Sequence, residues 1–454
     1  MRIYNTLSGE KEEFSPQGDE IKMYVCGVTP YDNSHVGHAM SYVVFDVIKR
    51  YLEFKGYKVY HVQNFTDVDD KIIGRAQRLG VSAIELADEY IQNYFNDMNS
   101  LNIKPAEVYP RVTGEIDEII RLIQTIIDKG YGYNSGGDVY FRSSRFEGYG
   151  KLSGRTLDGM MAGARVEVSE AKEHPMDFVL WKGTKPGEPS WESPWGTGRP
   201  GWHIECSAMA LKYLGSSLDI HGGGQDLIFP HHENEIAQSE AATGVAPFAK
   251  YWIHNGLLQL GEEKMSKSLG NLVTINEVLE QASADGLRLF VLSSHYHSPL
   301  SYTDEAITSW QRGAQRLREA SRLQSQGAKE LSIDISSYRQ RFEESMDDDF
   351  NSPKAIAVLF DLVKEINRGR ERGEDLSFAQ TTLTELAGVL GLTLKDALRD
   401  NAGDSAPFIE LLLDLRADLR KAKAYDLADK VRDKLTELGV IVEDSPQGTS
   451  WRRK

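Results

Sequence analysis

The chain has 454 residues, 40% of them hydrophobic, and a formal net charge of −16. That length supports roughly three domains. The apolar runs are too short to span a bilayer, and the first residues lack the charged-then-apolar pattern of a leader, so a cytoplasmic protein with no membrane partner is expected.

In chain order, Met23, Tyr24 and Val25 read as strand, Gly27, Pro30, Asp32 and Asn33 as turn. Met40, Val43, Val44, Val47, Ile48 and Tyr51 then recur at helical spacing. This is the first strand–turn–helix unit of a nucleotide-binding α/β sheet, whose ligands sit beyond the carboxyl ends of the strands. The turn carries Cys26, His35, Gly37 and His38, and the two histidines share a face if the helix begins there. A thiol after a strand is often only a small buried hydrophobe, and a histidine pair at a helix start is often a cap. Distant segments decide between these readings.

Residues 57–62 read as a second strand, and the polar stretch 64–71 opens a helix with Thr66 or Asp67 as N-cap. Ser82 starts an amphipathic helix with Ile84, Leu86, Ala87, Tyr90, Ile91, Tyr94 and Phe95 as its apolar face. A further helix is expected over 115–129, and short strands over 138–142 and 179–182 lie in a stretch rich in Gly, Ser and Pro. Residues 105–198 are therefore read as an insertion between two halves of a sheet domain, 1–104 and 199–257. In the second half, a strand over 218–221 runs into Gly222, Gly223 and Gly224, a helix starts near His231, and 251–254 is a strand. Residues 258–304 form a loop and contact region, and 305–398 a helical bundle. After a linker at 400–405, a terminal unit over 405–454 holds helices at 407–422 and 425–438 and a strand at 440–443.

Chemistry gathers in three further places. Cys206 is the only other cysteine, and His231 and Glu235 lie four apart on one helix face. Cys26, Cys206, His231 and Glu235 would make a tetrahedral set of two sulfurs, one nitrogen and one oxygen, which suits zinc. The plainer alternative is a solvated helix start, where acids after Pro230 favour the dipole. Three glycines after Ile220 permit close backbone approach to a ligand, and Asp226 beyond them could take a ribose hydroxyl or an amine. The string Lys264-Met265-Ser266-Lys267-Ser268 lies between Gly261 and Gly270.

His35-Val36-Gly37-His38 together with Lys264 to Ser268 resembles the paired signatures of the class I aminoacyl-tRNA synthetases. The two cysteines and residues 64–72, 201–207, 221–235 and 444–451 resemble the cysteinyl-tRNA synthetase family, over the whole chain. The resemblance implies a Rossmann-like parallel-sheet catalytic domain split by an insertion, an α-helical bundle and a small C-terminal α/β anticodon-binding domain. It implies activation of L-cysteine by Mg-ATP to cysteinyl-adenylate and pyrophosphate, then transfer to the terminal adenosine of tRNA(Cys), by a monomer. Zinc on Cys26, Cys206, His231 and Glu235 would select the substrate thiolate. His35, His38, Lys264 and Lys267 would be catalytic, and Gly37, His221, Gly222, Gly224 and Lys267 would meet ATP. Thr66, Trp202 and Asp226 would line the amino-acid pocket, with Trp451 and Arg452 on tRNA. The order Gly27-Val28-Thr29-Pro30-Tyr31-Asp32 also resembles a related ligase that joins cysteine to an aminosugar in mycothiol synthesis. That enzyme lacks an anticodon-binding end, so residues 407–454 favour the synthetase. A non-catalytic synthetase-like RNA-binding protein would have lost signature residues that stand here.

Overall fold

The chain begins with a hairpin, β1 (Arg2–Asn5) and β2 (Glu10–Glu13), which the charged run Glu10-Lys11-Glu12-Glu13 does not announce. The computed structural model describes residues 1–157, 159, 171–260, 263–264, 272–322, 329, 334–395, 406–445 and 448–453. After the hairpin come β3 (Glu20–Val28), α1 (Val36–Phe54), β4 (Lys58–Phe65), α2 (Asp70–Leu79) and α3 (Ala83–Ser100). Gly27 does not end β3. The strand continues past it through a register shift between Val25 and Val28. Only glycine fits there, because a β-carbon would lie 1.5 Å from the Asn64 carbonyl oxygen.

The N-cap of α2 is Asp69, which accepts from Lys71 N–H at 2.8 Å, rather than Thr66 or Asp67. Those two side chains are held by tertiary partners: Thr66 donates to Glu205, and Asp67 accepts from the Thr113 hydroxyl and N–H. Ser82 caps α3 as expected, but Ile84 is 60% exposed. The buried stripe of α3 runs through Leu86, Ala87, Ile91, Tyr94 and Met98.

The stretch that follows holds α4 (Ile116–Asp128) and an antiparallel sheet of β5 (Gly132–Ser135), β6 (Asp138–Phe141), β7 (Phe178–Gly183) and β8 (Gly198–Pro200). Next, α5 (Trp202–Leu214), β9 (Leu218–Gly224), α6 (Glu233–Thr243) and β10 (Ala249–Asn255) complete a parallel sheet in the order β10-β9-β3-β4. The three glycines belong to β9 rather than to a loop after it. At Gly222 a β-carbon would lie 2.2 Å from the Phe45 ring, so this glycine lets α1 pack on the sheet.

Side chains alternate across a strand, and parallel sheets are buried on both faces. Ile21, Met23 and Val25 enter one apolar core with Val43, Val44 and Val47 of α1. Tyr24 and Cys26 enter the other, with Ile204, Cys206 and Met209 of α5. The period-two rule thus puts Cys26 on the face where α5 carries Cys206.

The first unit then runs through β11 (Leu258–Leu260), β12 (Glu263–Lys264), α7 (Ile275–Leu279), α8 (Ala284–Leu292) and β13 (Leu300–Tyr302). It ends in the helices α9 (Asp304–Ser321), α10 (Ile335–Asp347), α11 (Ser352–Arg372) and α12 (Ser377–Val389). Contacts divide the chain into two units, Met1–Leu394 and Lys395–Lys454. The expected linker at 400–405 lies outside the described residues. The second unit contains α13 (Ala406–Lys421), α14 (Tyr425–Glu437), β14 (Val440–Ser445) and β15 (Gly448–Arg453). Its second strand, antiparallel to β14, was not expected from the sequence. No helix among the described residues is long and apolar enough to cross a membrane.

Candidate active site and metal centre

The carboxyl ends of β3, β9 and β10 and the start of α1 surround a cleft of 340 Å³. Its lining includes Cys26, His35, Gly37, His38, Lys71, Gly224, Asp226 and Asn255. Sheets of this kind place their ligands here.

His35 is the N-cap of α1 and His38 its third residue, and each caps the other. Nδ1 of His35 accepts the His38 N–H at 3.3 Å, and Nδ1 of His38 accepts the His35 N–H at 3.3 Å. The rings stack with centroids 3.7 Å apart. An imidazole that accepts at Nδ1 carries its proton on Nε2. Both rings therefore offer an Nε2–H donor at a helix N-terminus, where backbone N–H groups already favour anions. Burial holds His38 well below the ordinary histidine range, so it donates as a neutral ring. Gly37 makes room: a β-carbon there would lie 2.9 Å from the His35 ring.

Beside the cleft, Cys26, Cys206, His231 and Glu235 bring one ligand atom each within 4.8 Å of one another, all buried. The sulfurs are 3.8 Å apart, far from the roughly 2.0 Å of a disulfide. Two sulfurs each about 2.3 Å from one tetrahedral zinc would sit about 3.8 Å apart. His231 Nε2 lies 3.1 Å from Glu235 Oε1, and Cys26 Sγ lies 3.6 Å from that oxygen. Glu235 Oε2 is buried without a hydrogen bond of ordinary geometry, although His221 Nε2 stands 3.3 Å away.

The hydrogen bond from Cys26 draws Cys206 down to about 6, while burial and that same bond push Cys26 well up. Burial alone would lower His231, but the charges of Glu235 and Cys206 raise it to about 10. His203 faces His231 Nδ1 to Nδ1 at 3.0 Å, which turns the His231 Nε2 toward Glu235 and the thiols, as partners of metal-bound histidines do. The residues present fit a soft divalent ion.

Sequence reasoning missed part of this cluster. His221 and His232 also reach it, with Cys26 Sγ at 3.7 and 3.3 Å from their Nε2 atoms, and form a second possible ligand set with Cys26 and Glu235. His221 was expected near ATP. Neither it nor Gly222 lines the cleft, because the alternation of β9 turns His221 to the Cys26 face and Gly222 to α1. Spacing carries no sign of this: His221 pairs with Tyr24 across the sheet, and His232 lies in the tight turn before α6.

Thr66 is buried and donates to Glu205 Oε2 at 2.9 Å. Burial, and then Cys206, push the Glu205 carboxyl well up. Trp202 is 43% exposed and stacks on His231 with centroids 4.4 Å apart. Asp226 lines the cleft beside Gly224, where a β-carbon would strike its carboxylate. Lys264 lies in β12, and Lys267 falls outside the described residues.

The family model described as tRNA synthetases class I (C) catalytic domain matches residues 13–312. Over the whole of both chains, this sequence is 58% identical to the cysteine–tRNA ligase of Dehalococcoides mccartyi strain 195. The chain belongs to the cysteine–tRNA ligase family. It is 50% identical to the Heliobacterium modesticaldum cysteine–tRNA ligase, over 100% of this chain and 99% of that one.

Two further family models match: a DALR domain at 341–395 and a cysteinyl-tRNA ligase anticodon binding domain at 402–452. The second spans most of the stretch 407–454 that favours the synthetase in the sequence. Among solved structures, Mycobacterium tuberculosis methionyl-tRNA synthetase has the same fold, with a TM-score of 0.59 and 18% identity over 82% of this chain and 90% of that one. In the anticodon-type unit, Trp451 pairs with Val442 across the hairpin and packs half-buried against the small core of Ile409, Leu413, Leu435 and Val440. Arg452 lies opposite Ile441 in the same hairpin.

Proposed function

We propose that the chain activates L-cysteine with Mg-ATP, transfers the cysteinyl group to tRNA(Cys), and selects its amino acid through zinc held by Cys26, Cys206, His231 and Glu235. The observation that carries the zinc reading is the pair of buried sulfurs 3.8 Å apart, joined by an imidazole and a carboxylate beside the cleft. The residue roles rest on the positions of those side chains and on membership of the family.

In the first step a carboxylate oxygen of cysteine attacks the α-phosphorus, and the electron pair of the breaking bond leaves with pyrophosphate. Charge grows on the phosphates, and donors aimed there lower the barrier. His35 and His38 supply Nε2–H donors whose direction the reciprocal cap fixes. The start of α1 adds its partial positive charge. Lys264 and Lys267 add full charges in this reading. In the second step a hydroxyl of the terminal adenosine attacks the acyl carbon and AMP leaves, so no protein nucleophile is required.

Zinc, when bound, would favour a thiolate ligand and offer the hydroxyl of serine, with its much higher pKa, a far weaker contact. Thr66, Trp202 and Asp226 orient the rest of the amino acid, with Glu205 fixing the Thr66 hydroxyl. Trp451, Arg452 and the second unit engage tRNA. Residues 406–454 are close to neutral against −16 for the chain, so repulsion of a polyanion is weaker there. Cytoplasmic location and a monomeric state belong to the same reading.

The test combines metal analysis with cysteine-dependent ATP–pyrophosphate exchange and charging of tRNA(Cys). Wild type is expected to hold one zinc per chain and to favour cysteine over serine, and Cys206→Ala to lose metal and exchange together. Normal exchange by a metal-free protein would refute the zinc reading. Acceptance of an aminosugar instead of tRNA would refute the ligase assignment.

A further inference from the structure

The cleft that presents His35 and His38 must hold a polyanionic nucleotide, so it needs positive charge. In the reading above Lys264 and Lys267 supply part of it, and the described lining adds little more. His38 is neutral, and the only acid there, Asp226, has the wrong sign. Lys71, in the first turn of α2, is the single lysine or arginine among the described lining residues.

Its surroundings leave that charge uncompensated. Among the described residues no carboxylate stands within ion-pair distance of Lys71, and the nearby acids are committed elsewhere. Asp69 accepts the backbone N–H of Lys71 at 2.8 Å. Asp70 pairs with Lys182 at 3.0 Å and with Arg199. Asp32 pairs with Arg75 at 2.7 Å. The Lys71 ammonium instead lies 5.7 Å from the ring of Tyr31, itself a cleft residue. An aromatic face steadies a cation without neutralising it. A lysine serving only solubility would stand anywhere on the surface. This one lines the cleft, and the neighbouring Asp70 and Asp32 are paired with other cations.

Resting on the adenylation reading above, we propose that Lys71 is a further catalytic residue that contacts the phosphates of ATP while cysteinyl-adenylate forms. As the carboxylate oxygen bonds to the α-phosphorus and the electron pair of the α–β bridging bond leaves with pyrophosphate, the ammonium meets charge that is larger in the transition state than in either reactant. Such a contact acts on kcat more than on the binding of cysteine.

The experiment uses full-length zinc-loaded protein and its Lys71→Ala and Lys71→Arg variants. Exchange is measured without tRNA, and transfer from preformed adenylate to tRNA is measured separately. Lys71→Ala should lower kcat for exchange on the order of a hundredfold, with KM for cysteine unchanged. Lys71→Arg should recover much of that loss. The thermal midpoint should not move, since the side chain is exposed. Exchange at the wild-type rate in Lys71→Ala would overturn the proposal. If exchange is intact but transfer slows, it is overturned in favour of a contact with tRNA. Absence of cysteine-dependent exchange in the wild type would instead refute the underlying function.

Discussion

Gly391 and Arg288 share one space: a β-carbon on Gly391 would lie 1.9 Å from Arg288 Nη2. Arg288 is fully buried on α8 and donates to the Leu390 carbonyl at 3.1 and 2.9 Å, to the Leu101 carbonyl at 3.0 Å, and to Asp46 of α1. Asp46 also accepts from Arg50 at 2.8 Å and from Lys104 N–H at 2.9 Å. One guanidinium thus ties the helix behind His35 and His38 to the end of the helical bundle.

Removing one partner of a buried ion pair leaves the other uncompensated. Arg288→Ala should cost about 3 kcal/mol, near the low end for such pairs because Arg50 remains. Lysine cannot reach three acceptors with a planar fork, so Arg288→Lys should not restore stability. Gly391→Ala should be comparably harmful, since its φ of 71° is left-handed and the space is filled. Urea unfolding midpoints check all three, and a loss below 1 kcal/mol in Arg288→Ala would contradict the account.

The two functions of His38 can be separated. Asparagine can keep an acceptor for the His35 N–H but carries no Nε2–H donor. His38→Asn should retain stability within about 0.5 kcal/mol and lose exchange activity on the order of a hundredfold or more. His38→Ala should lose both, with about 1 kcal/mol for the cap. Paired exchange assays and denaturation curves distinguish them.

His61 on β4 predicts acid sensitivity. It is buried with neither ring nitrogen hydrogen-bonded, and burial, helped by the charge of Lys49, pushes it down to about 3. An unfolded histidine titrates near 6.5. Between these values the unfolded chain binds more protons, so stability falls as pH drops from 6.5 toward 3 and is fully present above that window. The loss from this residue between pH 7 and 5 should be about 2 kcal/mol. In His61→Phe the difference between unfolding free energies at pH 7 and pH 5 should shrink by that amount; an unchanged difference would exclude His61 as the source.

The second unit should be separable in function. Deleting residues 395–454 should spare cysteine-dependent exchange, because every described cleft and cluster residue lies in Met1–Leu394. Charging of tRNA(Cys) should fall by tenfold or more, on the order of one lost phosphate-contacting surface. Wild-type charging by the truncated chain would show that the unit does not bind tRNA productively.

Much of this architecture is legible in the residues. The helical recurrence of Met40 to Tyr51 and the Ser82 cap reflect local chemistry, and both elements form where that chemistry places them. The four metal-type residues converge as their types suggest. What is not legible arises from partners distant in sequence. Thr66 looks like a cap but is taken by Glu205, 139 residues away. Gly222 looks like a phosphate loop but yields to the ring of Phe45. His221, a nucleotide contact only by family resemblance, is turned by the pleat of β9 toward Cys26. Pattern reports what a segment can do, and the fold selects among those options.

The mutual cap of His35 and His38 has one more consequence. Each ring holds the backbone that aims the other, so the two positions constitute a single hereditary and mechanical unit. Losing either cap loosens the aim of both rings, and the second loss then has less left to remove. Their substitutions should be strongly epistatic, with a double mutant close to the worse single one rather than to the product of the two.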